Sequence, residues 1–249
     1  MGSAAARLTL VRNATLILEL DTCRLLVDPM FDDVAARPPV ENTDNDRRNP
    51  LVPLPAPAGE LLRGIDAVLV THLHQDHFDS GAVSHLPPEM PIFCQPHDEK
   101  RLRSLGFDAR PVDEAAIFRG LQIRRTGGQH GSGAVAQTLG PVSGFIVGHI
   151  YIVGDTIWCA EVEEAIKRHR PQVAIVNGSA ARFVDSEPIV MTTDDIREVV
   201  RRVPTVVVVH LEAINHCPDS RDYVRSRVPE AVVPEDGETI DLATVDAPV

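Results

Sequence analysis

Three histidines and an aspartate lie within six residues, HLHQDH, which follow the apolar run AVLV after a single threonine. In an extended segment, side chains two residues apart point the same way, so His72 and His74 can bind one cation together. A turn near Asp76 would direct that carboxylate and His77 towards a neighbouring position. Imidazoles with a few carboxylates favour zinc, and manganese and iron are also compatible with them. The segment therefore predicts a site for two adjacent divalent metal ions.

Each ion needs further ligands, and three residues in loops or at strand ends offer them. His130 lies in GGQHGSG, Asp155 follows the apolar run YIVG, and His210 follows VVVV. Loops beyond the carboxyl ends of strands converge at one edge of an open α/β sheet, and a carboxylate at Asp155 can bridge both ions there. HLEAINHC also offers His216. His210 is favoured as the ligand because it directly ends a strand, and His216 is expected in the pocket or beside the ligands.

The order of these motifs resembles the metallo-β-lactamase superfamily of metal-dependent hydrolases. HLHQDH is followed by an isolated His130, then GDT at Asp155, then His210 after an apolar strand. Within the superfamily, the chain is most similar to the branch that contains the L-ascorbate-6-phosphate lactonases. The resemblance covers nearly the whole chain and implies an α/β fold, a four-layer αββα sandwich of two mixed β-sheets flanked by helices. The chain departs from that branch at Asn13, where many members carry a histidine.

The resemblance also implies how the ligands divide. The first metal takes His72, His74 and His130, the second takes Asp76, His77 and His210, and Asp155 bridges them. Two cations lower the pKa of a shared water towards about 7, so we expect a bridging hydroxide to cleave a small-molecule ester, lactone, amide or thioester. Asp76 is the expected catalytic residue, because its carboxylate can orient the nucleophile or move a proton.

Two other functions stay open. A metal-dependent phosphodiesterase or nuclease would use the same ligands. A non-catalytic metal-binding scaffold is less favoured, because a structural zinc needs only four closed ligands. The formal net charge of −12, from 24 basic and 36 acidic residues, disfavours a nucleic-acid partner, so we expect a small-molecule substrate.

Further residues are candidates for substrate contacts or for support of the ligands. Asp28, in LLVDPMF, can hydrogen-bond a ligand histidine, although an aspartate before a proline also forms turns. Residues 38–57 hold six prolines and predict a long surface loop, in which arginines can receive an anionic group. The candidates are Asp28, Arg47, Arg48, Asn177, Glu212, Asn215 and His216.

Composition is that of an ordinary globular chain, with 43% hydrophobic and 24% charged residues, and one domain over residues 1–249 is the simplest organisation. Residues 1–6, MGSAAA, are expected to be disordered or left from cloning.

No apolar stretch approaches the roughly 20 residues of a membrane span. The four cysteines are scattered, which indicates reduced thiols in a cytoplasmic protein. A homo-oligomer is compatible with the sequence.

Alternating strands and helices must position these residues. Apolar runs bounded by turn residues predict strands at 8–10, 15–20, 24–27, 65–70, 92–94, 121–125, 144–147, 150–153, 173–176, 206–209 and 231–233. Helical patterns predict helices at 98–105, 161–169, 192–202 and 223–227. Three of these strands, at 65–70, 150–153 and 206–209, are followed within two residues by proposed ligands, so we expect them to end at the same edge.

Overall fold

Two β-sheets pack face to face in the computed structural model, which describes residues 6–242. The strands of the first sheet are β1 (Ala6–Arg12), β2 (Thr15–Glu19), β3 (Arg24–Val27), β4 (Ala67–Val70), β5 (Pro91–Cys94) and β6 (Asp108–Pro111). Those of the second sheet are β7 (Ala115–Phe118), β8 (Leu121–Thr126), β9 (Gly144–Val147), β10 (Ile150–Ile152), β11 (Val173–Asn177) and β12 (Thr205–Val209). The final strand, β13 (Thr239–Leu242), returns to the first sheet and pairs with β1.

Both sheets are mixed. The first has the order β13-β1-β2-β3-β4-β5-β6, antiparallel from β13 to β3 and parallel from β3 to β6. The second has the order β12-β11-β10-β9-β8-β7, parallel from β12 to β10 and antiparallel from β10 to β7. Strands β8, β10, β11 and β12 therefore run in one direction, and their carboxyl ends share one edge.

Helices cover the outer faces of the sandwich. The described α-helices are α1 (Ala58–Leu61), α2 (Ser80–His85), α3 (Glu99–Ser104), α4 (Gly133–Leu139), α5 (Ala160–His169), α6 (Thr193–Val200) and α7 (Arg221–Arg227). Ala82 and Leu102 pack on the first sheet, and Val162 and Ile196 pack on the second. The predicted αββα fold class is therefore confirmed. Within residues 6–242, no helix has the length and apolar character to cross a membrane.

Strand β4 shows how the core fixes the start of the HLHQDH segment. Ala67 and Leu69 face the core between the sheets, whereas Val68 and Val70 face the helices on the outer side. A strand buried on both faces needs apolar residues at every position, which explains the sequence AVLV. Packing on both faces of β4 therefore fixes the point at which the HLHQDH segment begins.

Several short elements and the last strand differ from the sequence-based expectation. The sequence does not predict β6, β7, β13, α1, α2 or α4, because their runs of four to seven residues are too short to show a clear period. The predicted strand at 231–233 makes one bridge, from Val232 to Val207, because Pro229 and Pro234 flank it and cannot donate to a ladder. Ala6 is the first residue of β1, and residues 1–5 lie outside the described residues.

Arg12, at the end of β1, is a fully buried charge that joins two loops. Its Nε and Nη2 atoms donate to the Met30 carbonyl at 3.1 and 2.9 Å, and Nη1 donates to the Val52 carbonyl at 2.9 Å. Burial lowers the pKa of Arg12 to about 10, so the group is still protonated at neutral pH. Arg12 thereby fixes the loop after β3 and the proline-rich loop against the first sheet.

We expect Arg12→Met to lower the free energy of unfolding by about 3 kcal/mol, because the buried Met30 and Val52 carbonyls lose their donors. Arg7→Met is the matched control. Arg7 is exposed and pairs with Glu19 at 2.7 Å, so its loss should cost less than about 1 kcal/mol. Urea unfolding followed by circular dichroism measures both values, and equal losses would contradict the anchoring role of Arg12.

Candidate metal centre

Four strands end beside the predicted metal ligands. β4 leads into His72, β8 precedes His130, β10 precedes Asp155, and β12 ends directly before His210. The ligand atoms form two groups, and within each group they all lie within 4.8 Å of one another. The first group is His72, His74 and His130, and the second is Asp76, His77, Asp155 and His210. The structure thus brings all seven predicted ligands together.

In the first group, hydrogen bonds at the far side of each ring orient the histidines. His130 Nδ1 lies 2.8 Å from the Ile189 carbonyl and His74 Nε2 lies 3.0 Å from the Leu139 carbonyl. The nitrogens on the opposite sides of the rings face the centre, where His74 Nδ1 is 2.9 Å from His72 Nε2. A partner on the far nitrogen of a ligand histidine fixes its tautomer and ring orientation.

In the second group, side chains rather than backbone carbonyls hydrogen-bond the histidine nitrogens that face away from the centre. His77 Nδ1 lies 2.8 Å from Asp28 Oδ2, and His210 Nδ1 lies 3.2 Å from Ser179 Oγ. Their Nε2 atoms face the centre, and His210 Nε2 is 3.1 Å from Asp76 Oδ2. Both rings therefore present one nitrogen to the same point.

Asp155 lies between the two groups. Its Oδ2 atom is 3.3 Å from His77 Nε2 and 3.5 Å from His130 Nε2, so one oxygen faces a ligand from each group. The preceding Gly154 has φ +75°, and a Cβ there would lie 2.8 Å from the Ser143 carbonyl oxygen, so glycine is needed for this turn. Asp155 therefore lies where it could contact cations held by either group, and its bridging role stays a prediction.

Charge pairing dominates the second group. Burial alone would raise the pKa values of Asp76 and Asp155, but the nearby His77 and His210 hold both carboxyl pKa values well below their usual range. Burial alone would lower the pKa of His77, but Asp155 and Asp28 raise it to about 10. Because a metal ion competes with these protons for the same atoms, metal binding to this group releases protons.

The donor atoms fit divalent cations. Burial lowers the pKa of His130 and, with neighbouring histidines, holds the pKa of His72 well below its usual range, so both rings are neutral ligands. In the second group, His77 Nε2 is buried and has no hydrogen-bond partner among the described residues. A cation beside it would satisfy that nitrogen. Five imidazoles and two carboxylates are a donor set that suits zinc.

Two of the predicted support residues contact ligands directly. Asp28 accepts from the Thr71 backbone N–H and hydroxyl, each at 2.7 Å, as well as facing His77. Asn177 Nδ2 donates to Asp155 Oδ1 at 2.6 Å. Asp28 and Asn177 therefore hold the ligands in place.

Asn13 also supports the site. The Asn13 Nδ2 atom donates to the Asp76 backbone carbonyl at 3.0 Å, and the Asn13 backbone carbonyl accepts from the His210 backbone N–H at 2.9 Å. Asn13 thus ties the HLHQDH segment to the end of β12. The sequence does not reveal this role, nor those of Thr71 and Ser179, because each depends on contacts between distant segments.

A cavity of about 270 Å³ opens beside both groups of ligands. His74, Asp76, His130 and Asp155 contribute to its polar side. Its other walls include the apolar residues Pro38, Val40, Phe183, Ile189 and Ile214. His216, the alternative to His210, lines this cavity, which is the pocket position expected for it.

The other predicted substrate contacts lie elsewhere. Arg47 and Arg48 are exposed, and Arg48 donates to the carbonyls of Ala35 and Ala36. Glu212 accepts from Arg221 Nη1 at 2.6 Å and from its backbone N–H at 2.9 Å, so it anchors α7. Asn215 hydrogen-bonds the proline-rich loop. Their polar groups are occupied by protein partners or directed to solvent, away from the cavity.

Arg37 is the arginine that lines the cavity, and the sequence does not single it out. Its Nε lies 3.3 Å from Asp32 Oδ2, and its Nη1 donates to the Gln75 carbonyl. No motif distinguishes Arg37 from the other arginines of the loop, because its place depends on how the loop folds back.

A family model, the beta-lactamase superfamily domain, matches residues 23–233. That span contains all seven ligand candidates. The fold and the site define a metal-dependent hydrolase with the metallo-β-lactamase fold. The chain belongs to the beta-lactamase superfamily, which confirms the superfamily predicted from HLHQDH.

Similar proteins cover nearly the whole chain. The UPF0173 protein YddR of Bacillus subtilis (strain 168) is 34% identical over 249 aligned residues, which cover 93% of this chain and 98% of that protein. The crystal structure of a possible metal-dependent hydrolase from Veillonella parvula DSM 2008 has a TM-score of 0.88 at 35% identity, covering 97% of this chain and 100% of that chain. The structure of an isothiocyanate hydrolase from Delia radicum gut bacteria has a TM-score of 0.88 at 34% identity, covering 94% and 98%.

We expect Asp28→Asn to weaken metal binding about tenfold or more, because an amide nitrogen cannot accept from either His77 or Thr71. Competition with a chromogenic chelator measures the affinity. Asp33→Asn is the matched control, since Asp33 is exposed and should leave the affinity unchanged. Wild-type affinity in Asp28→Asn would refute its role in orienting His77.

Proposed function

We propose that this protein is a dinuclear metal-dependent hydrolase, best suited to zinc, that cleaves a small neutral ester, lactone, amide or thioester with an apolar substituent. The observation that carries the proposal is an apolar cavity directly beside two groups of metal-ligating atoms. A substrate in this cavity would place its reactive bond at the ligands and its substituent against the apolar walls. A few polar groups that converge on an apolar pocket are typical of small-molecule sites.

The lining supports a neutral substrate. Pro38, Phe183 and Ile214 provide apolar contacts. Arg37 lines the cavity, but its charge is paired with Asp32. No lysine and no unpaired arginine is found among the described residues that line this cavity. An anionic substituent would therefore meet no free cationic side chain there.

The chain's own residues supply the remaining chemistry. Bound cations would lower the pKa of a water ligand towards about 7 and polarise the scissile bond. Asp76 lines the cavity, and its carboxylate can accept a proton from the attacking water and pass it to the leaving group. Burial lowers the pKa of His216 to about 4, so its ring is neutral at pH 7 and can hydrogen-bond a substrate.

The competing functions receive less support from the site. Bound cations would meet the charge of a phosphodiester at its reactive group, but the cavity walls offer no free lysine or arginine among their described residues for the flanking phosphates of a nucleic acid. If the similarity to the lactonase branch extends to lactone opening, the lack of a free lysine or arginine among the described lining residues favours a lactone without a phosphate group over a sugar phosphate. A scaffold with one structural zinc would need four ligands, whereas seven converge here.

Isothiocyanate hydrolysis is a second candidate. The similar protein from Delia radicum gut bacteria is named an isothiocyanate hydrolase. An isothiocyanate is a small neutral molecule with an electrophilic carbon and an apolar substituent, so it fits the same cavity. Addition of water to that carbon, followed by cleavage of its bond to nitrogen, gives an amine and carbonyl sulfide.

We also propose a cytoplasmic location with a small-molecule substrate as the partner. All four cysteines are free, and Cys23 and Cys94 are buried. Unpaired thiols are typical of reducing compartments, which supports this location.

The purified protein should contain close to two metal ions per chain, with zinc as the main element. The reason is that each group offers its own set of donor atoms. Inductively coupled plasma mass spectrometry of protein prepared without added metal measures the content. Removal by a chelator should abolish hydrolysis, and zinc should restore it. Full activity with a single tightly bound ion would refute the dinuclear site.

Wild-type protein should hydrolyse members of a panel of lactones, aryl esters, thioesters and isothiocyanates but not phosphodiesters. Asp76→Asn should reduce kcat/KM about 100-fold or more, because the amide cannot accept a proton. Asp46→Asn, which changes an exposed carboxylate, is the control and should retain activity. Activity confined to phosphodiesters would support the competing function, and unchanged hydrolysis in Asp76→Asn would exclude the proposed role of Asp76.

A further inference from the structure

Residues 37–49 form an Ω-loop that makes one wall of the cavity. The backbones of Arg37 and Asn49 exchange two hydrogen bonds, at 2.8 and 3.0 Å, which close the loop at its base. Arg37, Pro38, Val40 and Asn49 from this loop line the cavity. Between its two ends the loop has no helix or strand, so its shape depends on contacts with the rest of the chain.

Asn215 directs all of its polar groups at this Ω-loop. Its Oδ1 accepts from the Val40 N–H at 2.9 Å and from Asn49 Nδ2 at 2.7 Å. Its Nδ2 donates to Thr43 Oγ1 at 2.7 Å and to the carbonyls of Asn45 and Val40 at 3.0 and 3.2 Å. The Asn215 backbone N–H donates to Asn49 Oδ1 at 2.9 Å, and its carbonyl accepts from Asn45 Nδ2 at 2.8 Å.

The position of Asn215 joins two walls of one cavity. Its neighbours Ile214 and His216 also line the cavity, and the same segment follows the ligand candidate His210. Asn215 itself is buried, so water does not replace these hydrogen bonds while they hold. Asn215 thus makes most of the hydrogen bonds between the Ω-loop and the segment after β12, and the Val184 N–H adds one from another segment to the Asn42 carbonyl at 2.8 Å.

We infer that Asn215 is a positioning residue that holds the Ω-loop as a fixed wall and thereby limits the size of the substrate that the cavity accepts. The limit on substrate size rests on the proposed function, whereas the role of Asn215 in holding the Ω-loop does not. A wall fixed at Val40, Thr43, Asn45 and Asn49 cannot move outward for a longer substituent. A loop released from Asn215 can move, and larger substrates then enter.

Two variants and a control separate this role from general destabilisation. Asn215→Asp keeps the size of the side chain but turns a donor into an acceptor that faces the Val40 and Asn45 carbonyls. Thr43→Val removes one acceptor of Asn215 together with the hydrogen bonds from Thr43 Oγ1 to the Val40 and Asn45 carbonyls, and it leaves Asn215 itself intact if Asn215→Asp does not fold. Asp46→Ala is the control, because Asp46 is exposed in the same loop and no described side-chain hydrogen bond involves it.

Hydrogen exchange followed by mass spectrometry tests the holding of the loop. Peptides that cover residues 37–49 should exchange about tenfold faster in Asn215→Asp and severalfold faster in Thr43→Val, with wild-type metal content. Asp46→Ala should match the wild type. Wild-type exchange in both Asn215→Asp and Thr43→Val would overturn the positioning role, as would faster exchange spread evenly over the whole chain.

Hydrolysis of p-nitrophenyl acetate and p-nitrophenyl hexanoate tests the size limit. The ratio of kcat/KM for hexanoate over acetate should rise about fivefold in both variants, mainly through a lower KM for hexanoate. An unchanged ratio despite faster loop exchange would overturn the size limit. Absence of hydrolysis of either ester by metal-loaded wild type would contradict ester cleavage and the size limit for esters, while the exchange result decides the holding of the loop separately.

Discussion

The carboxylate of Asp155 is the charge around which this edge of the sandwich is arranged. It is almost completely buried, and a buried carboxylate costs several kcal/mol unless other groups compensate it. Here the compensation comes from Asn177 at one oxygen and from histidines at the other. Those histidines in turn need hydrogen-bond partners for their Nδ1 atoms. Asp28 is the partner of His77, and the Ile189 carbonyl is the partner of His130. The network of partners follows from one buried charge.

The ligands could be predicted because they lie next to apolar strands whose ends are fixed by burial. AVLV, YIVG and VVVV are recognisable as buried strands, and a ligand follows each of them within two residues. The supporting contacts could not be predicted in the same way. The Leu139 and Ile189 carbonyls are backbone groups that carry no sequence signal, and their positions depend on tertiary packing.

The loops explain the other differences from expectation. The sequence predicts a loop at residues 38–57 whose Arg47 and Arg48 can contact substrate, but the arginine that lines the cavity is Arg37, because the chain closes on itself at Arg37 and Asn49. Asn215 shows the same limit, since its partners lie 166 to 175 residues away in the sequence. The ligands thus rest on strands and the substrate walls rest on loops, so the reaction chemistry and the substrate range can change independently.

Each group of ligands takes residues from both sheets. His72 and His74 follow a strand of the first sheet, whereas His130 follows a strand of the second, and the other group is divided in the same way. A cation held there would act as a clamp between the two halves of the sandwich. For each such ion, every tenfold rise in free metal above the dissociation constant would add about 1.4 kcal/mol to folding stability. The lifetime of this protein in a cell would then follow the supply of metal as well as the strength of its apolar core.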